Sequence, residues 1–242
     1  MTSFPDAQAP AGAPSAHDLA AVLLANPWFG ALAPRERRAL LGAGGLLHLR
    51  RGEMLFRQGD APGGFYAVAA GMLKASSLRE DGREAILAVL EPGNWFGEIS
   101  LLDHLPRTHD ATALTDASVL AVPQPAFARL MQRAAFAQAV AALLAARVRG
   151  LYTMMEDATL RSTRARVARR LAQLAHGDAT MAAQARSAVP VSQEALAMML
   201  GLTRQTLNKE LKALVAEGAV ALGYGRIEII SPQKLQALGA RS

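Results

Sequence analysis

Residues 200–218 read LGLTRQTLNKELKALVAEG. Leu207, Leu211, Leu214 and Val215 recur at the spacing of one buried helix face. Thr203 suits an N-cap and Gly218 the left-handed position past the last turn, so the stretch predicts a helix with a defined start and stop. Arg204, Gln205, Asn208 and Lys209 fall on the opposite face, near the N-terminus. Upstream, Ser192 can cap a shorter helix, SQEALAMML, that Gly201 ends. Two helices joined by a tight glycine-containing turn, the second led by long donors, form the pattern of a helix-turn-helix. An αα-hairpin with a solvated polar face has the same local pattern, and the rest of the chain must distinguish the two.

Charge is the first discriminator. The chain of 242 residues carries +6, but unevenly. Residues 1–160 hold 14 Lys+Arg against 15 Asp+Glu, whereas residues 161–242 hold 12 against 5, a net of +7. A basic final third containing a helix-turn-helix points to a polyanionic partner. The absence of cysteine removes disulfides, Cys-ligated zinc, iron–sulfur clusters and thiol redox sensing, and fits a cytoplasmic protein. No apolar run is read as approaching the roughly 18 residues that span a bilayer, so no membrane partner is expected. The first basic residue is Arg35, which argues against a secretory signal. There is no GxSxG elbow, no P-loop and no metal-spaced histidine pair, so neither an enzyme nor a metal site is expected. The five histidines, at 17, 48, 104, 109 and 176, read as surface or hydrogen-bonded side chains.

Taken in order, residues 1–16 are rich in Ala, Pro, Ser and Gly and read as a disordered tail. Helical pieces follow, with Pro34 at a first helical position and Trp28 and Phe29 as core anchors. From 46 to 122, short apolar runs are punctuated by Gly52, Gly59, Gly63-Gly64, Gly71, Gly82, Gly93 and Gly97, which predicts an all-β sandwich, barrel or roll. Asp81-Gly82 is a hairpin signal, and EISLLD at 98–103 reads as a short helix between strands. Pro125 opens a helical region running, with one break, to about Ala175. Phe136, Val140, Leu144, Val148, Leu151, Met155 and Ala158 draw a long apolar seam along it. A parallel helix from a second subunit would bury that seam. The next helix, from about Ser162, carries Arg164, Arg166, Arg169 and Arg170. Beyond residue 218, AVALGYGRIEII reads as a hairpin turned at Gly223-Tyr224-Gly225, the wing of a winged helix, and Ser231-Pro232 starts a last helix.

GEMLFRQGDAPGGFYAVAAGMLK (52–74), PGNWFGEISLLDHLPRT (92–108) and VSQEALAMMLGLTRQTLNKELKALVAEG (191–218) together resemble the cyclic-AMP receptor/FNR family of bacterial transcription regulators. The resemblance implies an α+β protein: an N-terminal cyclic-nucleotide-binding β-roll, jelly-roll-like, over 17–124; a dimerisation helix over 125–160; and a winged helix-turn-helix over 161–242. It further implies an effector-gated homodimer that binds double-stranded DNA and acts with RNA polymerase.

Gly97 lets backbone approach a ligand, and the helix beginning Glu98-Ile99-Ser100 offers free N–H groups to an anion. Arg107 can give a phosphate a charge-assisted fork and Thr108 a hydroxyl, while Glu98 can accept from a ribose 2′-OH. A Glu98–Arg107 pair across the turn is the alternative. In the family a Thr-Ser pair contacts adenine. Those positions align with Leu151 and Tyr152, with Thr153 adjacent, which leaves the effector open between cyclic AMP, a cyclic dinucleotide, another small molecule and a vestigial pocket with no ligand. A cyclic-nucleotide-binding regulatory module acting on a protein partner is the alternative function, against which the TRQTLNKE face and the basic final third count.

The family's base-contacting positions align with Arg204, Gln205 and Lys209. Arg204 suits guanine O6 and N7, Gln205 suits adenine, and Lys209 suits guanine or a flanking phosphate. Thr203 and Thr206 suit phosphates, and Ser192 and Asn208 complete the expected DNA-binding set. Two readers on a twofold axis require a near-palindromic operator. Effector binding beside the seam is expected to shift the Arg161 hinge and re-aim both readers.

Overall fold

A computed structural model describes residues 16–78, 82, 84–177, 186–223 and 225–240. The tail expected over 1–16 therefore lies outside the described residues except for Ala16, and so do Asp81 and Tyr224 of the two expected turns. The described chain falls into two compact units. One runs to Ser77 and resumes over Val89–Val140; the other comprises Leu78–Ala88 and the residues from Ala141 onward.

The first unit begins with α1 (Ala16–Leu24), α2 (Pro27–Ala31) and α3 (Pro34–Leu41). Asn26 caps α2, its Oδ1 accepting from the Trp28 and Phe29 amides at 3.0 and 3.3 Å. Two four-stranded sheets follow. In one the order is β1 (Gly45–Leu49), β8 (Ala117–Pro123), β3 (Gly64–Ala70), β6 (Trp95–Phe96). In the other it is β2 (Met54–Phe56), β7 (Asp110–Ala113), β4 (Leu73–Leu78), β5 (Glu84–Leu90). β3 and β8 pair antiparallel from Gly64↔Pro123 to Ala70↔Ser118, with a register shift between Val68 and Ala70. Both strands are buried along almost their whole length, which is why they read as continuous apolar runs rather than alternating ones. An aromatic cluster packs within this unit. Phe29 and Phe65 both stack on Trp95, at 5.2 and 5.1 Å, and Trp28 meets Phe65 and Trp95 edge-on. The Trp28 indole donates to the Ala139 carbonyl at 2.6 Å, so both expected anchors serve the core.

α4 (Glu98–Asp103) lies between β6 and β7, as its sequence predicts. The helical region after β8 has two breaks rather than one: α5 (Gln124–Met131), α6 (Ala134–Leu160) and α7 (Thr163–Ala175). The unforeseen break falls at 132–133, where Arg133 turns to bond the buried Glu36 of α3 at 2.7 Å. That pair joins residues 97 apart and leaves no periodic trace in the local sequence. The first turns of α6 also correct the seam. Phe136 and Val140 are 0% and 1% exposed, so Val140 has no surface left for a second subunit.

In the second unit, α7, α8 (Gln193–Leu200), α9 (Arg204–Ala216) and α10 (Pro232–Gly239) surround a small sheet of order β10 (Val220–Gly223), β11 (Arg226–Ile229), β9 (Ala188–Val189). Val167, Leu171, Leu196, Leu207, Leu211, Leu214, Ile227 and Leu235 form its core. Val215, placed on the buried face by periodicity, is exposed. The reason is angular: the apolar stripe of α9 is satisfied by Leu207, Leu211 and Leu214, and Val215 sits at its edge. β9 was not foreseen, because two residues carry no alternation to read.

The joint between α6 and α7 is held by one carboxylate. Asp157, 9% exposed, accepts from Arg161 Nε at 2.8 Å and from Arg169 Nε at 2.7 Å. Arg161 also donates to the Gly239 carbonyl of α10 at 3.1 Å. The residue expected to be a hinge is thus clamped. Asp157→Ala should cost about 2–3 kcal/mol, since it strands two half-buried guanidiniums. Thermal melting should show the loss, and amide exchange should rise around residues 157–170 while β3 and β8 stay protected.

Candidate effector pocket and nucleic-acid interface

The expected phosphate cassette is assembled by the β6–α4 turn and the segment leading into β7. Gly97 has φ 93°, and a Cβ there would lie 2.9 Å from the Gly64 carbonyl and 3.1 Å from Arg107 Nη1. Only glycine admits both the dihedral and the close approach. Glu98, the first residue of α4, is fully buried; Ile99 is partly exposed; Ser100 is buried and donates to the Pro106 carbonyl at 3.3 Å. Thr108 is exposed, its hydroxyl 2.8 Å from His109 Nδ1.

Arg107 differs from the open fork that its sequence suggests. It is 3% exposed, with Nη1 donating to the Gly97 carbonyl at 2.8 Å and Nη2 to the Gly64 carbonyl at 2.9 Å. The guanidinium lies over the Phe56 ring at 4.4 Å and near the Tyr66 ring at 5.5 Å. A cation taken out of water needs local partners; here two carbonyls accept from the Nη atoms and two ring faces lie against the guanidinium. Burial lowers its pKa, opposed by Tyr66, Glu98 and Asp60. Burial likewise pushes the Tyr66 phenol up. Among the described residues Arg107 Nε is one of the buried side-chain atoms without a hydrogen-bond partner. The remaining expected effector contacts lie on α6: Tyr152 is exposed, and Thr153 donates its hydroxyl back to the Arg149 carbonyl at 3.1 Å.

The reader is built as its caps predict. Ser192 Oγ accepts from the Ala195 amide at 3.1 Å, Gly201 ends α8 at φ 63°, and Thr203 Oγ1 accepts from the Thr206 amide at 3.1 Å. The Thr203 and Thr206 hydroxyls also share a hydrogen bond of 2.9 Å, in which either can donate. With Leu207, Leu211 and Leu214 facing the core, Thr203, Arg204, Gln205 and Lys209 face solvent. Arg204, Gln205 and Asn208 line one shallow open concavity. Asn208 Nδ2 donates to Gln193 Oε1 on α8 at 3.4 Å.

The α7 arginines do something the charge pattern did not suggest. Arg164 pairs with Glu210 and Glu217 of the α9 segment at 2.9 and 3.5 Å, and Arg166 donates to the Leu200 carbonyl at 2.8 Å. They fasten α7 to the helix-turn-helix. Glu210 and Glu217, acidic residues inside a basic reader, were the available signal.

α6 presents Val148, Leu151, Tyr152 and Met155 as exposed apolar side chains; Leu144 is half-buried and Ala158 exposed. Contrary to the sequence expectation, α6 is long and apolar enough, by length and composition, to cross a membrane. Its apolar residues lie in an Ala-rich helix rather than in one continuous bulky run.

Comparison with known proteins bears on both halves. The model of the cyclic nucleotide-binding domain matches residues 46–134, and that of the Crp-like helix-turn-helix domain matches residues 165–238. A cyclic AMP receptor protein of Thermus thermophilus is 34% identical over 205 residues, covering 84% of this chain and 92% of the relative. A CRP-like cAMP-activated global transcriptional regulator of Mycobacterium tuberculosis is 30% identical over 193 residues, covering 79% and 86%. Among solved structures, FixK2 from Bradyrhizobium japonicum shares the fold with a TM-score of 0.72 at 23% identity, over 82% of this chain and 98% of that one. A CRP-family transcriptional regulator from Thermus thermophilus matches with a TM-score of 0.65 at 27% identity, over 81% and 97%. Matched by both domain models and at 34% and 30% identity along most of its length, the chain belongs to the CRP/FNR family of transcription regulators.

Proposed function

We propose that this regulator is a cytoplasmic, effector-gated homodimer, without catalytic activity of its own, that reads a near-palindromic operator and acts with RNA polymerase. The observation that carries the reading is the polar face Thr203–Lys209, turned to solvent by the burial of Leu207, Leu211 and Leu214. Arg204 forks onto guanine, Gln205 pairs with adenine, and Lys209 reaches guanine or the flanking phosphate. Ser192, Thr203 and Thr206 set the register on the phosphates. Capping through oxygen leaves the Ser192 proton to donate, and one proton of the Thr203–Thr206 pair, the other being held in their shared hydrogen bond.

The apolar residues of α6 beyond Val140 pair with a second copy through Leu144, Val148, Leu151, Met155 and Ala158. A membrane role fits less well: Arg147 and Arg149 fall in the middle of the helix, where lipid would meet them. The effector is a cyclic nucleotide, with Gly97, Glu98 and Arg107 forming the cassette. Cyclic AMP is the effector that the names of both curated relatives carry. Leu151 offers no polar contact to adenine, so a cyclic dinucleotide is the competing ligand, and calorimetry with each decides between them.

Three outcomes are expected. Arg204→Ala should lose on the order of tenfold discrimination for guanine in competition binding, with salt-dependent nonspecific binding retained; equal loss of both would contradict direct readout. Arg107→Ala should abolish cyclic-nucleotide binding by calorimetry and lower the melting temperature, since it strands two backbone carbonyls. Arg107→Lys should recover part of the stability; an unchanged ligand titration in either variant would show that the cassette is unused. Leu151→Asp with Met155→Asp should sediment as monomer, and a persisting dimer would place the subunit contact elsewhere.

A further inference from the structure

The reader contains a polar contact between its two helices that core packing does not require. Gln193, at the first position of α8, and Asn208, on the second turn of α9, are both half-buried, and Asn208 Nδ2 donates to Gln193 Oε1 at 3.4 Å. The two helices are already joined through Leu196, Leu207 and Leu211, each fully buried. Asn208 shares its concavity with Arg204 and Gln205. It lies four residues, or about 6 Å, along the helix from Arg204, a distance of roughly two base steps.

We propose that Gln193 is a positioning residue for base readout, holding the Asn208 amide so that Asn208 reads an adenine within about two base pairs of the guanine read by Arg204. The proposal rests on the DNA-reading role proposed above. An asparagine amide has two N–H donors and an acceptor oxygen. One N–H is committed to Gln193, which sets the rotation of the amide. The second N–H and Oδ1 remain, and that pair complements adenine N7 and N6 in the major groove. Guanine offers two acceptors there, against which Oδ1 is mismatched. Gln193 also orders the side chain before DNA arrives, so less rotamer freedom is lost on binding. Gln193 touches no base in this scheme; it acts through Asn208.

The test is selection of sites from a randomised duplex pool by the full chain in three arms, with cyclic AMP, with cyclic di-GMP and with neither. Anisotropy titrations against the selected site and its single-base-pair variants follow. Beside the adenine assigned to Gln205, wild type should prefer a second adenine, within about two base pairs of the guanine, by about tenfold. Asn208→Ala should flatten that position alone and leave the guanine preference due to Arg204 intact. Gln193→Ala should lower the same adenine preference roughly three- to tenfold with the melting temperature little changed. Gln193→Glu keeps the acceptor and should retain the preference, while its charge weakens all sequences alike. Full preference in Gln193→Ala overturns the proposal, and so does an equal loss at every position, the mark of a plain inter-helix staple. If wild type selects guanine-containing sites but Asn208→Ala changes nothing, this inference fails and the DNA-reading role stands. If wild type selects no sequence, both fail.

Discussion

Burial of Leu207, Leu211 and Leu214 is the constraint on which the C-terminal unit depends. A 13-residue helix is marginal in water, and its stability comes from packing one face. Each buried leucine contributes roughly 1.5–3 kcal/mol. The same burial fixes the rotation of α9 about its axis, because a turn of one residue would expose the stripe and bury Arg204 or Lys209. Fold and reading surface are therefore one decision. The caps complete it: Thr203 takes an orphan amide at the start, and Lys234 Nζ takes the Glu217 carbonyl at 3.0 Å beyond the last turn.

Basic residues in this unit divide by what they touch. Arg161, Arg164, Arg166 and Arg169 have acidic or carbonyl partners within the unit and tie α7 to its neighbours. Arg204, Lys209 and Lys212 stand exposed on α9. The net of +7 already subtracts Glu210 and Glu217, and only Asp157, outside residues 161–242, lowers it further, so the sign of the surface is unchanged. Asp157 illustrates the other use of charge: a carboxylate shared by two guanidiniums has its charge matched on both sides, and it fixes the bend after Leu160.

Arg107 shows the same principle in the first unit, at higher stakes. Buried against Phe56 and Tyr66, the guanidinium is affordable only because the Gly64 and Gly97 carbonyls accept from it. Gly97 must remain glycine for that geometry, since a side chain would meet both the Gly64 carbonyl and Arg107. A ligand anion would then meet a group already braced by the wall, aimed by backbone rather than by solvent.

Periodicity, caps and turn residues determined much of the protein without any coordinates. The N-caps Ser192 and Thr203, the helix starts near Ser162 and Ser231, the helix stops at Gly201 and Gly218, and the switch from β to helical structure near Pro125 were legible because each is a contact within a few residues of chain. The site residues Gly97, Glu98 and Arg107 were legible as a motif. What they touch was not. Tertiary structure alone decided that Val140 is buried, that Val215 is exposed, that Arg133 pairs with Glu36, and that Arg161 is clamped rather than free. Each of these depends on a partner distant in sequence, or on which side of a helix the core lies, and a local pattern carries no record of either.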